Sequence, residues 1–239
     1  MKTDKTILTL LMFFLFQLLN AQEENFGTRI SVGCEKKLDN WSFSAEGEVR
    51  TIYYVRLINR GSLQLAADYK IAKPFSVGAG YEIMNFLDVK YKDYQLRNRL
   101  YFQASGKYEL NRFTFSLREK IQFTTKDDKD RIKPNGNIDT YRIDPSWMSR
   151  TRLKVAYNIN NSSFSPFVCG ELNYQLNNPD GNKIDNIRIM LGTSYKLDKK
   201  HVFEFYLHAN KNVNPEEEEE QSKFALGISY TYKFADKKN

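Results

Sequence analysis

The ionisable residues of this chain recur at every second position, and that spacing limits the chemistry open to them. Glu46, Glu48 and Arg50 form one such series, Arg97 and Arg99 the next, then Arg118 and Lys120, then Arg150, Arg152 and Lys154, with Glu171, Arg188 and Glu204 on later segments. A period of two puts each series on one face of a β-strand, because successive strand side chains point to opposite sides. The other phase is apolar: Trp41, Phe43, Ala45 and Val49 accompany the first series, Leu96, Leu100 and Phe102 the second, Leu153, Val155 and Tyr157 the fourth. Charges gathered on the inner face of a barrel must be paired or wet, since stripping an ion of water without a partner is prohibitive. Two arrangements satisfy this. One is a pore whose Arg- and Lys-rich wall favours anions. The other is a narrow barrel plugged by salt bridges, with Glu46, Glu48, Glu171 and Glu204 neutralising the cations, and the dense mixture of signs favours it.

Catalytic signals are thin. Nucleophilic hydrolysis wants a serine, a histidine and a carboxylate within hydrogen-bond reach, and the chain carries only His201 and His208. His201 falls in a short turn, whereas His208 shares the charged phase with Glu204 and Tyr206 and is the one credible base for an outer-membrane hydrolase of lipid or lipopolysaccharide. No serine signature accompanies it, so the chain reads as non-enzymatic, with the hydrolase as the alternative. No cofactor is implied. The acidic run Glu216 to Glu220 suits either divalent cations bridging lipopolysaccharide phosphates or a solvated, self-repelling loop, and the loop is preferred. Asp127-Asp128-Lys129-Asp130 lacks the glycine and spaced ligands of a calcium loop, and no metal site is assigned.

The elements that must hold these residues follow from alternation and turn residues. Candidate strands cover 26–36, 41–54, 59–71, 75–87, 92–108, 112–125, 147–159, 164–176, 184–197, 201–211 and 222–234. In the last, Phe224, Leu226, Ile228, Tyr230, Tyr232 and Phe234 share one face, and Ala225, Gly227, Ser229, Thr231 and Lys233 the other. Such lengths suit a tilted crossing of a bilayer, which takes about 9–11 residues. Short connections at Leu38-Asp39-Asn40, Ala72-Lys73-Pro74, Leu110-Asn111-Arg112, Asn158 to Ser163 and Asp198-Lys199-Lys200 alternate with longer ones. Short turns belong to the periplasm and long loops to the outside, which also places the C-terminus in the periplasm. Aromatic residues near strand ends, among them Trp41, Tyr69, Phe113, Tyr157, Tyr195 and Phe203, fit interfacial girdles.

The expected fold is therefore all-β, an antiparallel up-and-down transmembrane barrel. Eleven segments are readable, but bacterial single-chain barrels have even strand numbers. The expectation is ten or twelve strands, twelve favoured, with an element hidden between Asn137 and Ile143 or a misjudged strand near the N-terminus.

Residues 1–21 read as a cleaved signal peptide and 22–239 as the barrel. Lys2 and Lys5 precede the apolar run Ile7 to Leu19, and Leu19-Asn20-Ala21 offers a small-residue cleavage site. Two bases and one acid leave with it, taking the net charge from +7 to +6. An exported chain with cations scattered along strands does not bind nucleic acid. Its partners are outer-membrane lipid and lipopolysaccharide, with the barrel-assembly machinery and periplasmic chaperones during biogenesis, and its location is the outer membrane. Cys34 and Cys169 lie on distant strands, Cys34 on the apolar phase, and free thiols are expected over a disulfide.

Several of these residues recur in a known pattern. Glu46-x-Glu48-x-Arg50, Tyr69-Lys70, Gly78-x-Gly80-Tyr81-Glu82, Arg97-x-Arg99, Leu117-Arg118, Arg150-x-Arg152, Gly170-Glu171-Leu172 and Arg188 ahead of Gly192 appear in that order. Together they resemble an uncharacterised outer-membrane β-barrel family of Gram-negative bacteria catalogued as a domain of unknown function. The resemblance covers most of the chain and implies a barrel in the outer membrane. It implies no activity.

Overall fold

Turn chemistry sets up the fold locally. In the computed structural model, which describes residues 26–127, 131–132, 135–141, 143–213 and 222–235, strand β1 (Phe26–Leu38) reverses into β2 (Trp41–Ile52) through Asp39 at φ 52°. The turn between β5 (Asp93–Leu110) and β6 (Phe113–Lys126) likewise carries Asn111 at φ 54°. Asp and Asn tolerate this left-handed geometry, whose twist matches a two-residue hairpin. Between them lie β3 (Leu57–Lys70) and β4 (Phe75–Asp88). The turn that precedes His201 is closed by Asp198, whose carboxylate accepts the backbone N–H groups of His201 and Lys200 at 2.7 Å each. The same two donors hold that carboxyl below its ordinary pKa. The proposed signal segment and the Glu216 to Glu220 run lie outside the described residues.

After β6 the long connection forms a small hairpin, β7 (Arg131–Ile132) with β8 (Ile138–Asp139), a two-stranded sheet that pairs with no barrel strand. The wall resumes with β9 (Ser146–Tyr157), β10 (Phe164–Gln175), β11 (Lys183–Lys196), β12 (His201–Asn212) and β13 (Phe224–Lys233). Each strand pairs antiparallel with its neighbour, and β1 closes on β13 in parallel, Ile30 facing Ile228 and Cys34 facing Tyr232.

The described residues thus close a barrel of eleven strands, which corrects the expected ten or twelve. With an odd number the first and last strands must run the same way, and a parallel ladder accommodates this at slightly less stability per residue. The element suspected near residues 137–143 exists, but it is β8 of the hairpin and adds no strand to the wall. Phe26 consequently lies at the long-loop rim, its carbonyl accepting the N–H of Tyr54 at 2.8 Å, while β13 ends at the short-turn rim.

Burial is inverted relative to a water-soluble protein, whose charges sit outside. Val32 is 58% exposed and Leu117 53%, whereas Arg97 and Glu171 are each 3% exposed. So many exposed large apolar side chains call for an apolar surrounding. Aromatic pairs encircle the short-turn rim, including Trp41 with Tyr69, Phe113 with Tyr157 and Phe164 with Tyr195 at centroid separations of 5.0, 5.1 and 4.6 Å. Glu119 interrupts the outer face and accepts hydrogen bonds there from the Ser149 and Thr151 hydroxyls. The two cysteines are free. Strand alternation puts Cys34 on the outer phase with Ile30 and Val32, and buried Cys169 on the inner phase with Glu171, so the wall separates them.

Candidate functional site: the charged lumen

The alternation that turns Val49 and Leu153 outward turns their neighbours into the barrel, and register then decides which charges meet. Glu171 on β10 lies directly across from Arg152 on β9 and Arg188 on β11. Its carboxylate, with a side chain 0% exposed, accepts from Arg150, Arg152 and Arg188, each at 2.6 Å. A second knot forms on Glu82, which binds the Arg60 guanidinium and, at 3.1 Å, Arg99. Arg99 also donates from Nε to Thr124 Oγ1 at 2.9 Å. Glu48 pairs with Arg50 at 2.6 Å, two residues along the same strand, and Lys154 with Glu204 at 2.7 Å.

All thirteen charges anticipated from the sequence fall on the inner phase, but they are unequally satisfied. Glu48, Glu171 and Glu204 neutralise cations as expected, whereas Glu46 makes no ion pair among the described residues, which corrects its expected role. Among the described residues, Arg118 and Lys120 have no carboxylate within 4 Å. Lys120 instead sets its ammonium 3.6 Å from the centroid of the Tyr101 ring, and Arg97 stacks at 4.2 Å on Phe86. Tyr101 can lie flat against the wall because its neighbour is Gly80, where a Cβ would come within 2.3 Å of the phenol. Sequence reading missed Arg29, Arg60 and Glu82 as lumen groups. Arg29 is legible from Ile30 and Val32 beside it, and Arg60 from Leu63 and Leu65 in the opposite phase.

Two internal spaces lie among these side chains. A cavity of about 240 Å³ is lined by Glu46, Glu48, Arg118, Lys120, Arg152 and Lys154, among others. A smaller one of about 60 Å³ lies toward the long-loop rim, against Thr124, Lys126, Ser146 and Asp185. Arg50, Arg60, Gln122 and Arg150 line both, and so form the waist between them.

His208 faces inward, as expected, but between Met190 and Ala225 in register. It is 2% exposed, and neither ring nitrogen has a hydrogen-bond partner among the described residues. A base needs a hydroxyl to deprotonate and a group to orient it, so this geometry assembles no triad. His201 sits on the outer phase at the short-turn rim, its Nδ1 2.8 Å from the Tyr230 hydroxyl.

A family model described as a protein of unknown function (DUF2490) matches residues 27–221. The chain belongs to this family. The matched span of this DUF2490 member runs from β1 beyond β12 and contains every lumen charge named above. A comparison with curated proteins finds no match. Among solved structures, the NanC porin is 14% identical with a TM-score of 0.46, the alignment covering 76% of this chain and 84% of that one. The β domain of the Bordetella autotransporter BrkA is 9% identical, with a TM-score of 0.47 and 82% of each chain covered. The KdgM porin in complex with disordered oligogalacturonate is 14% identical, with a TM-score of 0.43, covering 79% of this chain and 91% of that one. At such identities the likeness concerns the fold alone.

Proposed function

We propose that this protein is an integral outer-membrane barrel acting as a narrow passive pore that favours anions, with its short turns in the periplasm and its long loops outside. The observation that carries this reading is the waist: Arg50, Arg60 and Arg150 line both internal spaces, and the wall around them holds more cations than carboxylates. An ion passing there meets guanidinium groups already positioned, and a ring of such groups raises the local concentration of anions and repels cations. The apolar exterior and aromatic rim support insertion in lipid. A barrel sealed by its own salt bridges would show the same strands but no current. The hydrolase reading draws nothing from the surroundings of His208.

Conductance of the purified protein in planar bilayers tests the proposal. Small currents with reversal potentials shifted toward the anion are expected, and Arg150→Gln should reduce that selectivity while leaving heat-modifiable folding intact, because Glu171 keeps Arg152 and Arg188. Absence of current, or preference for cations, overturns it.

A further inference from the structure

Four cations form a block on two neighbouring strands of the lumen wall. Arg118 and Lys120 point inward from β6, Arg150 and Arg152 from β9, and the register sets Arg118 opposite Arg152 and Lys120 opposite Arg150. Like charges directly opposite on one sheet face oppose folding, and their repulsion grows where water is scarce. Among the described residues only Glu171 reaches the block, binding Arg150 and Arg152, and it is shared with Arg188 outside it. Arg118 and Lys120 have no carboxylate within 4 Å among the described residues. The Nε groups of Arg118 and Arg150 are buried without an acceptor.

All four side chains line the cavity of about 240 Å³. A single water needs roughly 10–15 Å³ of such space, so an anion the size of several waters enters with part of its hydration. Guanidinium forks match paired oxygens in two parallel hydrogen bonds, and an ammonium adds a point charge, a combination suited to oxyanions rather than to a spherical halide.

We propose that Arg118, Lys120, Arg150 and Arg152 form a binding site for a compact oxyanion of two or more charges, of the phosphate type. The inference rests on the reading of the lumen as open to anions, and it adds a specific station to that path. The bound anion supplies the missing negative charge between the paired rows and accepts from the idle Nε donors. Its absence leaves the repulsion in place, so the folded barrel is stabilised by ligand.

Titration calorimetry with inorganic phosphate on the folded protein in detergent, against chloride at matched ionic strength, tests the site. Saturable phosphate binding is expected, weakened about tenfold or more by Lys120→Gln and by Arg118→Gln, and unchanged by Lys107→Gln, whose ammonium is exposed and paired with Glu109 at 2.7 Å. The double variant Arg118→Gln/Lys120→Gln should also unfold at a higher temperature than wild type in chloride, with no further gain from phosphate. Phosphate bound no more tightly than chloride, or equally well by Lys120→Gln, overturns the site. Phosphate binding without bilayer current refutes the pore and keeps the site. Current without phosphate preference does the reverse.

Discussion

At the scale of single residues, alternation reveals which charges enter the lumen and leaves their partners open. Glu46 and Glu171 are equivalent in sequence, each an acid on an inward phase near arginines, yet among the described residues one makes no ion pair and the other holds three arginines. The difference arises from register and reach: Glu171 has a cation directly across on each side, while Glu46 faces Gln64 and Gly33. Sequence cannot supply that, because opposing residues are known only once every hairpin is aligned. Glu171→Gln should cost about 3–5 kcal/mol of unfolding free energy, the usual penalty for stripping one partner from a buried ionic group. Glu46→Gln should stay within about 1 kcal/mol of wild type. Urea unfolding in lipid vesicles, followed by tryptophan fluorescence, compares the two. Equal losses would mean that pairing at Glu171 is not what holds this part of the wall.

At the scale of elements, the strands were legible because each repeats its apolar phase over ten residues or more, enough to fix type and face. Of the hairpin β7 with β8, the sequence offers only the suspicion of an element near 137–143. Two residues per strand carry no period, and its position depends on contacts made far along the chain. Those contacts centre on Asp88 at the end of β4. Its Oδ1 accepts the backbone N–H groups of Lys90 at 3.0 Å and Tyr91 at 3.2 Å. Its Oδ2 accepts Gln95 at 3.2 Å and pairs with Arg131 of β7 at 2.9 Å. Arg131 itself lies between the rings of Tyr91 and Tyr141, at 4.8 and 4.2 Å. Lys90 adds a contact to Asp139 of β8 at 2.9 Å, which raises its own pKa through that hydrogen bond. Asp88→Ala removes the ion pair to Arg131 together with the acceptor of the Lys90 and Tyr91 N–H groups, and should loosen the hairpin at the long-loop rim. Limited proteolysis of the folded protein should then cut between residues 127 and 145 at least several-fold faster, while the barrel keeps its heat-modifiable migration, since no wall strand depends on Asp88 alone. Unchanged cleavage would show that the aromatic contacts suffice to hold the hairpin.

At the scale of the molecule, strand number sets lumen width, because barrel diameter grows with the number of strands. The eleven segments that alternation marks are the eleven strands of the wall, and the general preference for even numbers does not hold for this barrel. What no local pattern disclosed is the closing seam, for parallel pairing of β1 with β13 joins residues nearly two hundred positions apart. The seam fixes how the remaining charges face one another across the lumen: it seats Ser31 against Ser229, their hydroxyls 2.9 Å apart, and completes the wall beside Arg29. The free cysteine on the outer phase of β1 makes this testable with a single change. Cys34 is in register with Tyr232, and paired strands lie about 4.8 Å apart, inside the roughly 7 Å limit between Cα atoms for a disulfide. Tyr232→Cys should therefore cross-link to Cys34 under mild oxidation of the folded barrel, leaving Cys169 as its only titratable thiol after denaturation. The pair Ile30→Cys/Ile228→Cys should link in the same way, because a parallel ladder pairs residues in ascending order on both strands. A barrel with a further strand between β1 and β13 would separate these positions by about 9–10 Å. Neither variant would then cross-link, and the eleven-strand closure would be refuted.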